Sequence, residues 1–185
     1  RIRNETMRWA KEFVGSEDPA AAEKGAEVIR KLLEINGFEA SESEGYLRLV
    51  YERYQEQRER NGGELAGQLL DVMSKLCGQG SGRETAARMF REEFVAGLEA
   101  DNDTVRRAAV RGLINIDRPE ALKIFVAKDM LKDSSSAVVS AVLETAAMVG
   151  GESHLEWLAG RVEGNSQSEG VWDAMVSVLR RQRID

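Results

Sequence analysis

A chain of 185 residues with 42% hydrophobic and 31% charged side chains has the make-up of an ordinary folded protein, which excludes a disordered or collagen-like polypeptide. Its formal charge of −6, with acids outnumbering bases in both halves, lacks the cationic surplus by which a duplex-binding module neutralises phosphates, and argues against a nucleic-acid partner. A single cysteine, Cys77, and a single histidine, His154, exclude an internal disulfide and a zinc site of the usual Cys/His type, and no apolar run approaches the roughly 20 residues of a membrane helix.

Apolar residues spaced i, i+3, i+4, i+7 predict ten helices and no strand. The first spans 3–14. A second, over 19–36, opens at Asp18-Pro19, where the carboxylate can cap and the proline loses no intrahelical hydrogen bond. The Ser- and Glu-rich stretch from Gly37 to Gly45 reads as a mobile loop, and the third helix covers 43–60. Helices over 64–77 and 82–99 follow, the latter with Ser81 and Glu84 at capping-box spacing. Then come 103–116, 118–131, 136–149, 153–163 and 168–182, with Asp117/Glu120 and Ser166/Glu169 again at that spacing. Gly37, Gly62, Gly150 and Gly164 each follow a periodic run and read as left-handed helix stops.

The most informative feature is a repeat of 33 residues. Val105, Ala108, Ala109, Val110 and Leu113 recur as Val138, Ala141, Val142, Leu143 and Ala146, then as Val171, Ala174, Met175, Val176 and Leu179. The following helix repeats as well, Leu122 and Phe125 mapping onto Leu155 and Leu158, so the repeated unit reads as a helix pair beginning at 103. A step of 36 residues places Leu69, Val72, Met73, Leu76 and Cys77 beneath Val105, Ala108, Ala109, Gly112 and Leu113. Residues 1–62 read as divergent amino-terminal helices or a cap, and 63–185 as one continuous stack. In this phasing the helix 168–182 has no partner after it, and a stack ending there exposes an apolar strip.

The segment from Asp103 through Val105, Arg106 and Ala109 to Leu113, followed by Pro119, Glu120, Ala121 and Leu122, resembles a HEAT-like repeat of the short bacterial type; the resemblance covers 101–183 and extends in weaker form over about 64–100. The resemblance implies an all-α fold, a right-handed α-solenoid of antiparallel helix pairs. It also implies that Asp103 and Arg106 form a structural ladder between repeats, broken where Val139 stands in place of the arginine. HEAT-like arrays are mostly non-catalytic scaffolds that bind a protein or peptide partner. Relatives among phycobilin lyase subunits and alkylpurine DNA glycosylases supply the alternative, an enzyme or nucleic-acid-processing module. No motif of either enzyme family is present, and neither a cofactor nor a metal is expected.

Candidate sites are few. Gly78, Gly80 and Gly82 lack the strand and the lysine of a phosphate loop and read as a turn. Asp101, Asn102 and Asp103 fail as a calcium loop because Arg106 and Gly112 occupy the sixth and twelfth places, which leaves helix capping. His154 beside Ser153 and Glu152 has the wrong geometry for a triad, and Cys77 reads as a small core residue. Tyr46, Tyr51 and Tyr54 offer either contact area for a partner or core. The partner-binding candidates are Arg107, Arg111, Arg180 and Arg181, forming a basic ridge with Arg106 and Arg183, together with Trp172 and Asp173. Trp172, Asp173 and Trp157 are also the residues of a Trp-and-acid cleft, although alignment of Trp157 with Ile124 and of Trp172 with Val139 makes packing their default role.

Overall fold

The computed structural model describes residues 2–34, 40–59, 63–78, 83–162 and 168–182. Among them every regular element is helical: α1 (Ile2–Val14), α2 (Pro19–Glu34), α3 (Ala40–Glu59), α4 (Gly63–Leu76), α5 (Arg83–Gly97), α6 (Asp103–Ile116), α7 (Arg118–Ala127), α8 (Ser136–Val149), α9 (Leu155–Ala159) and α10 (Ser168–Gln182). The expected stops at Gly37, Gly62 and Gly164, the caps Ser81 and Ser166, and Gly80, Gly82 and Arg183 lie outside the described residues. Two compact units are present, Arg1–Ile116 and Asp117–Asp185.

In the first unit, neighbours along the chain pair as α1 with α2, α3 with α4 and α5 with α6, while α2, α4 and α6 pack successively on one another. The directions follow from specific contacts. Gly67 on α4 meets Thr104 on α6, and Ser74 further along α4 accepts a hydrogen bond from Asn115 on α6, so these two run parallel. Gly97 meets Val105 and Ala109 while Phe94 meets Gly112, so α5 and α6 run antiparallel. This is the hairpin stack expected of helical repeats, because each amphipathic hairpin hides its apolar face against the next. The buried layer is built from Ile29 and Leu33, Leu47, Val50 and Tyr54, Leu69, Leu70 and Met73, Phe90 and Phe94, and Ala109, Val110 and Leu113. Tyr46 is also buried, and Tyr51 stacks on Phe90 at 5.8 Å with its hydroxyl donating to Glu93, so all three tyrosines serve the fold. Cys77 is buried too, and desolvation pushes its thiol up to about 12 against a small opposing pull from Arg83.

In the second unit α7 pairs with α8 and α9 with α10, and α10 packs on α8. Its core holds Leu122, Phe125, Val142, Leu143, Ala146, Leu158, Val171, Ala174 and Val178.

The phase of the repeat differs from the sequence reading by one helix. The expected pair began at 103, yet α6 is the second arm of a hairpin that starts with α5, and α10, expected to lack a partner, is the second arm of a hairpin that starts with α9. Periodicity gives the spacing of equivalent positions, and the choice between two adjacent helix connections is left to tertiary contacts. Four local readings also change. The second part of the expected Gly37–Gly45 loop is helical, since α3 starts at Ala40 and Glu44 pairs with Arg48 one turn on at 3.0 Å. Helix α7 stops at Ala127 instead of 131 because Asp129 takes a left-handed conformation, φ 50°, and a one-turn 3-10 helix occupies Met130–Lys132. The helix expected over 153–163 shortens to a 3-10 turn at Glu152–His154 followed by α9. Gly150 ends α8 in an extended conformation, φ −64° and ψ 144°, so its use is not a left-handed stop; a Cβ there would lie 2.5 Å from the Ala146 carbonyl oxygen. Other caps are as read. Asp18 accepts from the amide of Ala20 and Asp117 from that of Glu120, at 3.0 and 3.1 Å. At the start of α6 the capping acceptor is Asn102, which takes the Thr104 amide at 2.8 Å, with Asp103 in the first turn where a negative charge suits the helix dipole.

Candidate interaction face on α10

Of the six residues singled out as a partner-binding set, α10 carries four, and it sorts them onto two sides. Arg181 turns inward: its guanidinium donates to the carbonyl oxygens of Ala147, of Ala146 at 3.3 Å and of Gly150 at 2.7 Å. These carbonyls lie at the end of α8, where intrahelical donors run out, although Ala146 also takes the Gly150 amide at 2.8 Å, and a cation there meets the negative end of the helix dipole. Arg181 is therefore a clamp between α8 and α10. Trp172, Asp173 and Arg180 point to solvent and are joined by Glu169, Val176 and Leu179, all exposed. Positions 169, 172, 173, 176, 179 and 180 follow the i, i+3, i+4, i+7 rule and so lie along one helix face. That face is acidic at its start, apolar in the middle and basic at its end.

The apolar middle departs from what its sequence class does elsewhere. By the 33-residue equivalence Trp172, Val176 and Leu179 correspond to Val139, Leu143 and Ala146 of α8, which are 4%, 4% and 0% exposed. The three on α10 are 52%, 40% and 47% exposed. On α8 this stripe is covered by α10, with Gly170 against Leu143 and Arg181 against Ala146. Trp172, whose default role was packing, is thus a surface residue. Trp157 does take a structural role, its indole N–H donating to Asp129 at 3.2 Å. Asp129 also binds Arg161, and Lys132 at 2.8 Å. Burial raises the Asp129 carboxyl, but these partners outweigh it and hold it below the usual carboxylate range.

The basic ridge is largely committed to internal contacts. Arg106 is buried and donates to the carbonyl oxygens of Ala100 and Asp101, each at 2.8 Å, which ties it to the turn of its own hairpin. Arg111 is exposed but pairs with Asp71 of α4 at 3.1 Å. Arg107 is half-buried, and its Nε has no hydrogen-bond partner. Bridging between repeats is done instead by a run of charges that periodicity does not flag: Arg30 to Glu27 at 2.7 Å, Glu27 to Lys75 at 3.1 Å, Lys75 to Asp71 at 2.8 Å, and Asp71 to Arg111. Burial raises Glu27, yet hydrogen bonds and charge from Arg30 and Lys75 prevail and hold it low. Desolvation lowers Lys75, but hydrogen bonds and charge from Asp71 and then Glu27 outweigh it and hold the ammonium high. The links span 48 residues and 40 residues, so a search at 33 misses them.

Recesses open among the described residues of both units. Two open in the first unit, one of about 560 Å³ beside Tyr54, Arg58 and Asn102 and one of about 580 Å³ beside Glu17, Glu23, Arg53 and Glu64. In the second unit a recess of about 220 Å³ between α8 and α10 is lined by Ser140, Glu144 and Asp173 among others, and Trp172 lies outside it. His154 serves the backbone, its Nδ1 accepting the Gly151 amide at 3.0 Å. Among the described residues no group of three or more His, Cys, Asp or Glu side chains is placed to hold a metal, and no helix is long and apolar enough to cross a membrane.

Residues 92–175 match the family model for HEAT repeats. No curated protein matches the chain. A crystal structure of an engineered protein aligns with 14% identity and a TM-score of 0.43, covering 95% of this chain and 97% of that one.

Proposed function

We propose, for a chain that carries HEAT repeats over residues 92–175, a non-catalytic helical-repeat module that binds a protein partner by taking an amphipathic helix along the exposed face of α10. HEAT repeats are commonly protein-interaction scaffolds and typically non-catalytic. The observation that carries the reading is the half-exposed row of Trp172, Val176 and Leu179 at i, i+4, i+7, the spacing by which one helix anchors on another. A tryptophan at the head of such a row is the residue type most often found at the energetic centre of interfaces. Covering what remains exposed on three side chains is worth about 2–4 kcal/mol, taking half of the ~1.5–3 kcal/mol for fully burying each. The rim is polar, with Glu169, Asp173 and Arg180 flanking the apolar centre, as in interfaces that form reversibly.

The enzymatic alternative needs Trp172 and Asp173 to share one cleft. Only Asp173 lines the recess, whose volume of about 220 Å³ falls below the ~300 Å³ at which small-molecule sites begin. The arginines the alternative would also draw on are engaged within their own units, Arg111 by Asp71 and Arg181 by the end of α8. A photo-crosslinking amino acid placed at position 176 in the native cell tests the proposal, with position 123 on α7 as control. A polypeptide adduct at 176 that Leu179→Asp abolishes is the expected result. Equal labelling at both positions, or labelling indifferent to Leu179→Asp, overturns it.

A further inference from the structure

We infer that the partner helix is α10 of a second copy of this chain, packed antiparallel about a two-fold axis near Val176. The inference rests on the α10 face being an interaction surface, and it is drawn from the order of charges along that face. Glu169 and Asp173 occupy its first half and Arg180 its second half, with Trp172, Val176 and Leu179 between and beside them. A face that is acidic at one end and basic at the other repels a parallel copy and complements an antiparallel one. Closed two-fold pairing is also the commonest symmetry of soluble oligomers, because one patch serves both partners.

The register follows from the residue numbers. With the axis at Val176, each position i faces 352 − i, so Val176 meets itself, Leu179 meets Asp173, and Arg180 meets Trp172. Arg180 of the second copy then lies over the indole ring, where a guanidinium is favoured, next to Asp173 and about one turn from Glu169, with which it can pair. The two acids of each copy gain the other's Arg180, and the two Val176 side chains cover one another with Trp172 and Leu179 at their flanks. Arg181 stays on its own α8 and is not drawn into the interface.

Sedimentation equilibrium of the full chain at several concentrations and salt levels tests this. The expected result is a monomer–dimer equilibrium that weakens with salt and that Val176→Asp abolishes, with the circular dichroism of the variant unchanged because Val176 is exposed. Arg180→Glu makes the whole face acidic, and Glu169→Arg/Asp173→Arg makes it basic. Each variant alone should self-associate about tenfold more weakly, and an equimolar mixture should recover a heterodimer near wild-type affinity. A chain that stays monomeric at hundreds of micromolar, or a mixture that fails to recover, overturns the inference. If position 176 then crosslinks to another polypeptide, the scaffold reading stands and only the identity of the partner falls; if it crosslinks to nothing, both fall.

Discussion

Replacing Gly112 by alanine adds one methyl group in the interior of α6, a change that in an exposed helix stabilises by about 1 kcal/mol. Here the methyl would lie 2.5 Å from the Cδ1 and Cε1 atoms of Phe94 and 2.6 Å from Cε2, about 1 Å inside ordinary carbon contact. Phe94 cannot yield easily. Its ring is fully buried, meets Phe90 edge-on at 6.4 Å, and belongs to the helix that Gly112 holds closest. Overpacking a buried site costs about 1–3 kcal/mol, so after the helix gain the expected net loss is about 1 kcal/mol and at most about 2. For a chain of this length that lowers the melting temperature by roughly 2–8 °C. Gly160→Ala provides the contrast: φ is −62° there and the nearest atoms to an added Cβ are 3.6 and 3.8 Å away, so the same substitution should be neutral or stabilise by up to about 1 kcal/mol. Urea unfolding followed at 222 nm measures both. Phe94→Leu on the Gly112→Ala background should cost less than Phe94→Leu alone, because the smaller side chain vacates the space the methyl needs. A Gly112→Ala protein as stable as the parent would refute the close packing assigned to α5 and α6.

Lys75→Met should lower stability most at neutral pH. Stability from the depressed Glu27 carboxyl is full above about 4.3 and is lost as pH falls through its lower folded value; that from the raised Lys75 ammonium is full below about 10.4 and is lost as pH climbs through its higher folded value. The gap between parent and variant in urea should thus narrow towards pH 3, and a gap constant from pH 7 to 3 contradicts the ladder. Asp129→Ala removes both the left-handed tolerance and the contacts to Trp157, Lys132 and Arg161, for a loss of about 2 kcal/mol, whereas Asp129→Asn keeps the backbone tolerance and should lose less. Identical denaturation curves for the two variants would show that the backbone conformation contributes nothing. Cys77, buried with its thiol pushed up to about 12, should resist iodoacetamide at pH 8 and become reactive in step with loss of helix in urea; prompt labelling of the folded protein would remove it from the core.

What the sequence made legible was set by period. Spacing at 3.6 located the ten helices of the described residues, and spacing at 33 marked positions buried on α6 and α8 and, on α10, at Val171 and Ala174, since side chains that return at a fixed interval meet similar environments in a stack. Hairpin phase was not legible. A periodic signal is unchanged when the unit boundary slides by one helix, and the deciding contacts, Phe94 on Gly112 and Gly170 on Leu143, join residues with nothing unusual about them locally. The charge ladder stayed hidden for a related reason. Glu27, Lys75, Asp71 and Arg111 occupy half-exposed positions where repeats diverge, so their alignment across α2, α4 and α6 depends on the register of the folded helices alone.

The α10 face shows the opposite relation between sequence and structure. By every periodic criterion Trp172, Val176 and Leu179 belong with Val139, Leu143 and Ala146, positions whose apolar side chains are kept by burial under the next helix. On α10 they stay half exposed, and the acids and the arginine that flank them are ordered from one end to the other. An acid in the first turn and arginines in the last also suit the helix's own dipole, so charge order by itself does not call for a partner; what it adds to the open apolar row is complementarity to an antiparallel copy. Reversing it at Arg180 or at Glu169 and Asp173 therefore tests the proposed pairing while leaving the apolar row intact.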